Sequence, residues 1–287
     1  MMQAVKDLVV AGAGGRPLSL DLYYRADGTA KPLLLFAHGF KGFKDWGHWD
    51  LIARQFAQRG WFFVKFNFSH NGVTPEEPLE FVDLEAFGQN NYSRELEDVE
   101  AVLAFLREDP RKLLAGEADL TRLALIGHSR GGALAIVAAC RFSQIKALIT
   151  WAAVSSLSYA WPDDDFIHRW HKAGVYHVLN ARTQQQMPLY YQLYEDFAGR
   201  REAFDIRNCL QRLHIPILIV HGADDPAVPV KEARLLKAMK PEARLAVIEG
   251  ADHVFNGRHP FEGTELPRAS RELVEQTCVF LEELWGR

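Results

Sequence analysis

Cysteine is scarce in this chain. Cys140, Cys209 and Cys278 are an odd number with no C-x-x-C pair, which argues against a disulfide framework and gives no zinc-binding spacing. Long apolar runs are lacking as well: no window approaches the roughly 18 consecutive apolar residues that span a bilayer. The opening Met1-Met2-Gln3-Ala4-Val5-Lys6-Asp7 is not a basic region followed by an apolar stretch, so no secretory signal is read and a cytoplasmic location is expected. Basic residues form no block. Thirty-three Lys and Arg are scattered against 37 Asp and Glu, for a net charge of −4, which offers no footprint for nucleic acid and none for a membrane surface. There is no internal repeat, low-complexity tract or Pro/Ser-rich linker, so residues 1–287 are expected to form a single domain. Its oligomeric state is left open.

What is present is an alternation of elements. Residues 18–24 alternate as a strand, with a weaker candidate at 5–10 before it and a glycine-rich turn at 12–15 between them. That turn lacks the third glycine and the following helix of a dinucleotide loop. Short buried-strand runs recur at 33–37, 61–66, 123–126, 147–151, 217–220 and 245–248. Helical periodicity falls at 49–59, 92–107, 132–140, 232–239 and 270–284. A β-hairpin start followed by β-then-α alternation predicts an α/β fold: a mostly parallel central sheet with helices on both faces. Residues 155–210 break the rhythm, and they are read as a strand-free helical insertion over the carboxyl edge of the sheet. Trp161, Trp170, Tyr176, Tyr190, Tyr191 and Tyr194 lie in it, and these aromatics are expected partly to line a pocket and partly to anchor the insertion.

Gly127-His128-Ser129-Arg130-Gly131 lies between the apolar run at 123–126 and the small-residue helix at 132–140. Strand, tight turn and helix in that order are what a G-x-S-x-G elbow requires, with the serine strained at its apex. A serine hydroxyl is a weak nucleophile until a positioned base takes its proton. A base and an orienting carboxylate both follow later strands: Asp224 or Asp225 in His221-Gly-Ala-Asp-Asp-Pro-Ala-Val-Pro229, and His253 in Gly250-Ala-Asp-His253. The order serine, acid, histidine is the one that this strand-turn-helix arrangement takes.

On these motifs, from His38-Gly39-Phe40 to Asp252-His253, the chain resembles the α/β-hydrolase superfamily, in particular its serine esterase-like and dienelactone-hydrolase-like branch. The resemblance implies Ser129 as nucleophile, His253 as general base and then acid, and Asp225, by alignment with H-G-x-x-D-x-x-V-P, as orienting acid. It also implies an oxyanion hole made by the backbone N–H groups of Phe40 and Arg130. The implied activity is hydrolysis of small acyl or aryl carboxylic esters through an acyl-enzyme. The partner is then a small-molecule ester, and neither metal nor organic cofactor is needed. Thioesterase or acyltransferase chemistry, a prolyl-oligopeptidase-like peptidase, and a ligand receptor retaining the triad are the alternatives. A peptidase of that kind normally carries a large extra N-terminal domain, for which this chain has no room.

Neighbouring residues have plainer expectations. The Arg130 side chain is expected to pair with Glu95 or Asp98, since a half-buried guanidinium needs an acid. His128 is expected to pack beside the elbow, and residues 41–46 to form a pocket rim. His168, His171 and His177 lack a further ligand at convincing spacing and are not read as a metal site. Asp163-Asp164-Asp165 reads as a helix start.

Overall fold

The computed structural model describes residues 1–109, 112, 114 and 116–286. Its central sheet contains β1 (Met2–Ala11), β2 (Pro17–Arg25), β3 (Lys31–Ala37), β4 (Phe62–Phe66), β5 (Ala118–His128) and β6 (Ala147–Trp151). Two later strands complete it, and in chain-order numbering they are β9 (Ile217–Gly222) and β10 (Arg244–Ile248). The spatial order is β1-β2-β4-β3-β5-β6-β9-β10. β2 is antiparallel to β1 and β4, and every other pairing is parallel.

The parallel strands are apolar on both sides because both faces are covered. In β3, Leu33, Leu35 and Ala37 enter one hydrophobic cluster and Leu34 and Phe36 the other. The first cluster is closed by α3 (Tyr92–Glu108), α4 (Arg130–Arg141), α7 (Ile206–Arg212) and α8 (Lys231–Met239). The second lies under α1 (Trp49–Gln58) and α9 (Arg268–Trp285). The chain leaves β3 through α1 to β4 on one side, then crosses back through α3 to β5 on the other. The connections therefore diverge at the carboxyl ends of β3 and β5, a place where open α/β sheets form a crevice.

The insertion departs from expectation. Within 155–210, α5 (Asp164–Ala173), α6 (Gln192–Gly199) and α7 are helical, but β7 (Val175–Leu179) and β8 (Gln186–Tyr190) form an antiparallel hairpin. The interval is thus not strand-free. Gly174, at φ 72°, ends α5 in the left-handed conformation and turns the chain into β7. The strands escape sequence reading because they are short, unevenly buried and interrupted by Pro188, so they carry no clean period of two. The short helix α2 (Leu84–Gln89) was also unforeseen, although Asp83 caps it by accepting from the Ala86 N–H at 2.9 Å. Asp163 caps α5 in the same way, accepting from the Phe166 N–H at 2.7 Å, as the acidic run predicts. No helix among the described residues is long and apolar enough to cross a membrane.

One side of the sheet holds buried charge. Lys44, just beyond β3, places Nζ 2.8 Å from Asp21 of β2, 2.8 Å from Asp7 and 2.5 Å from Asp45. Lys65 of β4 pairs with Asp21 at 3.2 Å and also with Asp45. Lys44, Lys65 and Asp21 are completely buried. Burial opposes charge on Lys44, but Asp21 and Asp45 outweigh it and raise its pKa; burial likewise opposes charge on Asp45, yet Lys65 and Lys44 bring it down to about 2. Oxygens of Asp21, Asp45 and Asp50 cluster within 4.8 Å of one another, and the ammonium groups of Lys44 and Lys65, with Lys6 and Arg54 on Asp50, balance that cluster. Removing one member of a buried ion pair leaves its partner desolvated and unmatched. Asp21→Asn is therefore expected to lose about 3–5 kcal/mol of stability, read as a lower urea midpoint at unchanged slope; a loss below about 1 kcal/mol would contradict this account.

Candidate active site

The crevice is built around a backbone strain. Ser129 links β5 directly to α4 at φ 57°, ψ −125°, a region that costs a non-glycine residue about 1–3 kcal/mol and persists only where its surroundings enforce it. Here the Ser129 N–H donates to the Trp151 carbonyl at 2.8 Å, and the Ser129 carbonyl accepts from the Gly132 N–H at 2.9 Å. Gly131 completes the constraint: a Cβ at that position would lie 2.2 Å from the His38 carbonyl oxygen. Only glycine lets the start of α4 press against the chain leaving β3.

Asp225 and His253 arrive on the loops after β9 and β10. A Cβ on Gly222 would come within 2.3 Å of the Ala251 carbonyl oxygen, so the two loops touch at their roots. His253 Nδ1 lies 2.7 Å from Asp225 Oδ2, and His253 Nε2 lies 3.0 Å from Ser129 Oγ. With Nδ1–H donating to the carboxylate, Nε2 is left as acceptor for the serine proton. Asp225 is buried, and its other oxygen accepts the Ala227 and Val228 N–H groups, each at 2.8 Å. Burial alone would raise its pKa, but hydrogen bonds from His221, His253 and the Val228 amide hold the carboxyl well below the usual range. Asp224 is exposed, and its N–H donates to the Ala251 carbonyl. His253 therefore pairs with Asp225 and not with Asp224.

Phe40 and Arg130 stand side by side. The Arg130 guanidinium lies 4.5 Å from the Phe40 ring centroid and 5.7 Å from that of Tyr92. It also pairs with Glu95 at 2.5 Å. Of the two acids expected for Arg130, Glu95 is the partner. Asp98 instead accepts from the Ala13 N–H and from the N–H and hydroxyl of Ser69. His128 packs under the elbow as expected, its ring centroid 4.8 Å from that of His253. Burial first, then the charge of nearby His253, takes its pKa down to about 3, so the neutral ring donates from Nε2 to the His253 carbonyl at 2.8 Å. His38, next to the loop, meets the Gly39 carbonyl at 2.9 Å through Nδ1, while its Nε2 faces the Phe68 N–H and the Asn71 amide.

Two cavities meet at Ser129 and His253. One, of about 310 Å³, is walled by Tyr92, Val154, Leu157, Trp161, Leu189 and Leu193. The other, of about 330 Å³, is floored by Trp46, Trp49 and Phe81 and edged by Lys41, Asn180, Arg182 and His259. The expected rim thus holds in part: Lys41, Gly42 and Trp46 face the cavity, whereas Phe43 and Lys44 are buried. Among the insertion's aromatics, Trp161 lines the cleft. Trp170 anchors the hairpin by donating from its indole N–H to the Leu189 carbonyl at 2.8 Å, and Tyr190 donates to Glu85. His168, His171 and His177 are exposed, and the His171 ring packs on Tyr191 at 4.7 Å. Asn180, Arg182 and His259 escaped the sequence reading because no motif marks them; the hairpin and the long loop after His253 bring them in.

The sequence profile of the alpha/beta hydrolase family matches residues 34–265. Among curated proteins, Esterase LipQ of Mycobacterium tuberculosis is 23% identical, over 96% of this chain and 62% of its own length. Serine hydrolase BPHL of Homo sapiens is 28% identical, over 50% of this chain and 53% of its own. The chain thus spans less than two thirds of the curated relatives it matches. Among solved structures, ferulic acid-bound Est1E from Butyrivibrio proteoclasticus superposes with a TM-score of 0.72 at 19% identity, covering 98% of this chain and all of that one.

Buried histidines give the region a pH dependence. Burial takes His38, His48 and His70 down to about 4 and His128 to about 3, against about 6.5 when unfolded. Below pH 6.5 the unfolded chain binds protons that the native chain refuses, so stability falls with pH until the native values are reached. Asp98, raised by burial to about 7, acts in the opposite sense and offsets about one histidine. A net loss of about 2–4 kcal/mol is expected between pH 6.5 and 5.5; a flat urea midpoint over that interval would contradict neutral burial.

Proposed function

The chain belongs to the α/β-hydrolase family, and from that premise we propose that it is a serine hydrolase cleaving carboxylic esters. The observation that carries this reading is the hydrogen-bonded line from Ser129 Oγ to His253 Nε2 and from His253 Nδ1 to Asp225, with distances of 3.0 and 2.7 Å. Both fall within reach for proton transfer. An aromatic and aliphatic chamber beside the serine supports small acyl or aryl esters as substrates.

His253 takes the hydroxyl proton as Ser129 Oγ bonds to the ester carbonyl carbon. The carbonyl oxygen becomes an oxyanion and accepts from the Phe40 and Arg130 amides. Collapse breaks the bond to the alcohol, which leaves with the proton held by His253. Water then gives a proton to the same nitrogen, attacks the acyl-enzyme and releases the acid, returning Ser129 Oγ–H. Asp225 stabilises the imidazolium without itself being protonated, consistent with the depressed pKa of its carboxyl. Stacking of Arg130 on Phe40 fixes the two residues that supply the amides. We read residues 1–287 as one catalytic unit, with 155–210 as its cover.

Purified protein is expected to hydrolyse short-chain chromogenic aryl esters and to be labelled covalently by a fluorophosphonate, and Ser129→Ala should abolish both. Asp225→Asn is expected to lose about 10³–10⁴-fold in kcat, while Asp224→Asn changes kcat less than about threefold. Native protein that shows neither hydrolysis nor labelling would defeat the reading.

A further inference from the structure

The two chambers differ in polarity, and the charge at their junction is not balanced. Among the described residues no carboxylate lines either one. The Arg182 guanidinium is matched by Glu80 at 3.2 Å. His259 accepts the Gly47 N–H at Nδ1, 2.8 Å away, so as a neutral ring it carries its proton on Nε2. Lys41 has no such match. It lines both chambers beside Ser129, and among the described residues it takes part in no ion pair within 4.0 Å. Its Nζ donates to the Leu179 carbonyl at 3.0 Å and stands 5.8 Å from the Phe40 ring centroid. An ammonium offers three donors, and a carbonyl answers one of them. Partial burial disfavours the charged form and lowers the pKa of this lysine, a penalty that an arriving anion relieves.

We infer that the preferred substrate is an anionic ester, with an apolar acyl or aryl half in the chamber of Val154, Leu157 and Trp161 and a carboxylate on its other half, paired with Lys41. A single compact ammonium, with no second unmatched cation among the described lining residues, suits a monoanion such as a carboxylate. Lys41 immediately follows Phe40, so the anion would sit close to the reacting carbonyl and orient it. The inference rests on the serine-hydrolase reading above. It also separates Lys41 from a plain latch between the β3 loop and the hairpin, because a latch would not discriminate substrate charge.

Two matched pairs of esters test it through kcat/KM. In one the carboxylate is on the acyl half: monophenyl glutarate against phenyl valerate. In the other it is on the alcohol half: meta-carboxyphenyl phenylacetate against meta-carbamoylphenyl phenylacetate. The native protein is expected to prefer the anion at least about tenfold in one pair, with a preference that shrinks as salt rises. Lys41→Met should bring that ratio close to unity. Equal or better turnover of the neutral ester in both pairs overturns the inference, whether or not the variant folds. So does an equal loss on both members of a pair in Lys41→Met, the behaviour of a latch. Fluorophosphonate labelling without hydrolysis of any of the four esters overturns this inference alone. Neither labelling nor hydrolysis brings down the serine-hydrolase reading, and this inference with it.

Discussion

A missing methyl-sized volume at Gly131 holds the crevice together. Because the His38 carbonyl occupies the place where a side chain would begin, the first turn of α4 can lie against the chain leaving β3. Ser129 is thereby forced into a conformation that an isolated peptide would avoid, and the Trp151 carbonyl secures its N–H from the neighbouring strand. Three parallel strands, β3, β5 and β6, thus converge on one residue. The rigidity comes from sheet pairing and close packing, and the loops carrying Asp225 and His253 need only reach a point that the sheet has already fixed.

Much of this was legible in the sequence, for identifiable reasons. The parallel strands announced themselves as continuous apolar runs because both faces are covered. Asp225 and His253 followed such runs directly, and the elbow pentapeptide lay between a strand and a small-residue helix. What stayed hidden depends on tertiary context. The hairpin β7–β8 has short strands, mostly exposed in β7 and of mixed burial in β8, with an internal Pro188, so its pairing owes more to the surface beneath it than to its own pattern. Met187, buried like its neighbour Pro188, seats the hairpin in a cluster with Phe43, Phe81 and Phe87. Asn180, Arg182 and His259 reach the cleft from segments with no local signature. Trp161 and Trp170 look alike in sequence, yet one faces the cavity and the other anchors the hairpin.

The buried charges could not be foreseen from pattern at all. Lys65 stands within an otherwise apolar strand and Asp21 within an alternating one, positions where sequence reading expects either a core residue or a solvent-facing one. Each is tolerable only because the other, with Lys44 and Asp45, is present. Ion pairs of this kind add little net stability over an apolar equivalent, but they fix geometry, since charges so desolvated accept few alternative arrangements.

Lys44 and Asp45 belong to the same short stretch as Phe40, Lys41 and Trp46. The segment that shapes one chamber is therefore keyed to β1, β2 and β4 through Asp7, Asp21 and Lys65. Loops at the top of such sheets are commonly regarded as interchangeable parts by which one scaffold acquires many specificities. Here the part is not separable: transplanting residues 40–46 into a relative, or receiving a relative's loop in their place, would strand charges deep in the sheet. Change of specificity on this side must proceed by coordinated substitution across three strands, β1, β2 and β4, and the hairpin is drawn into the same constraint, because its buried Met187 shares a cluster with Phe43 of that segment.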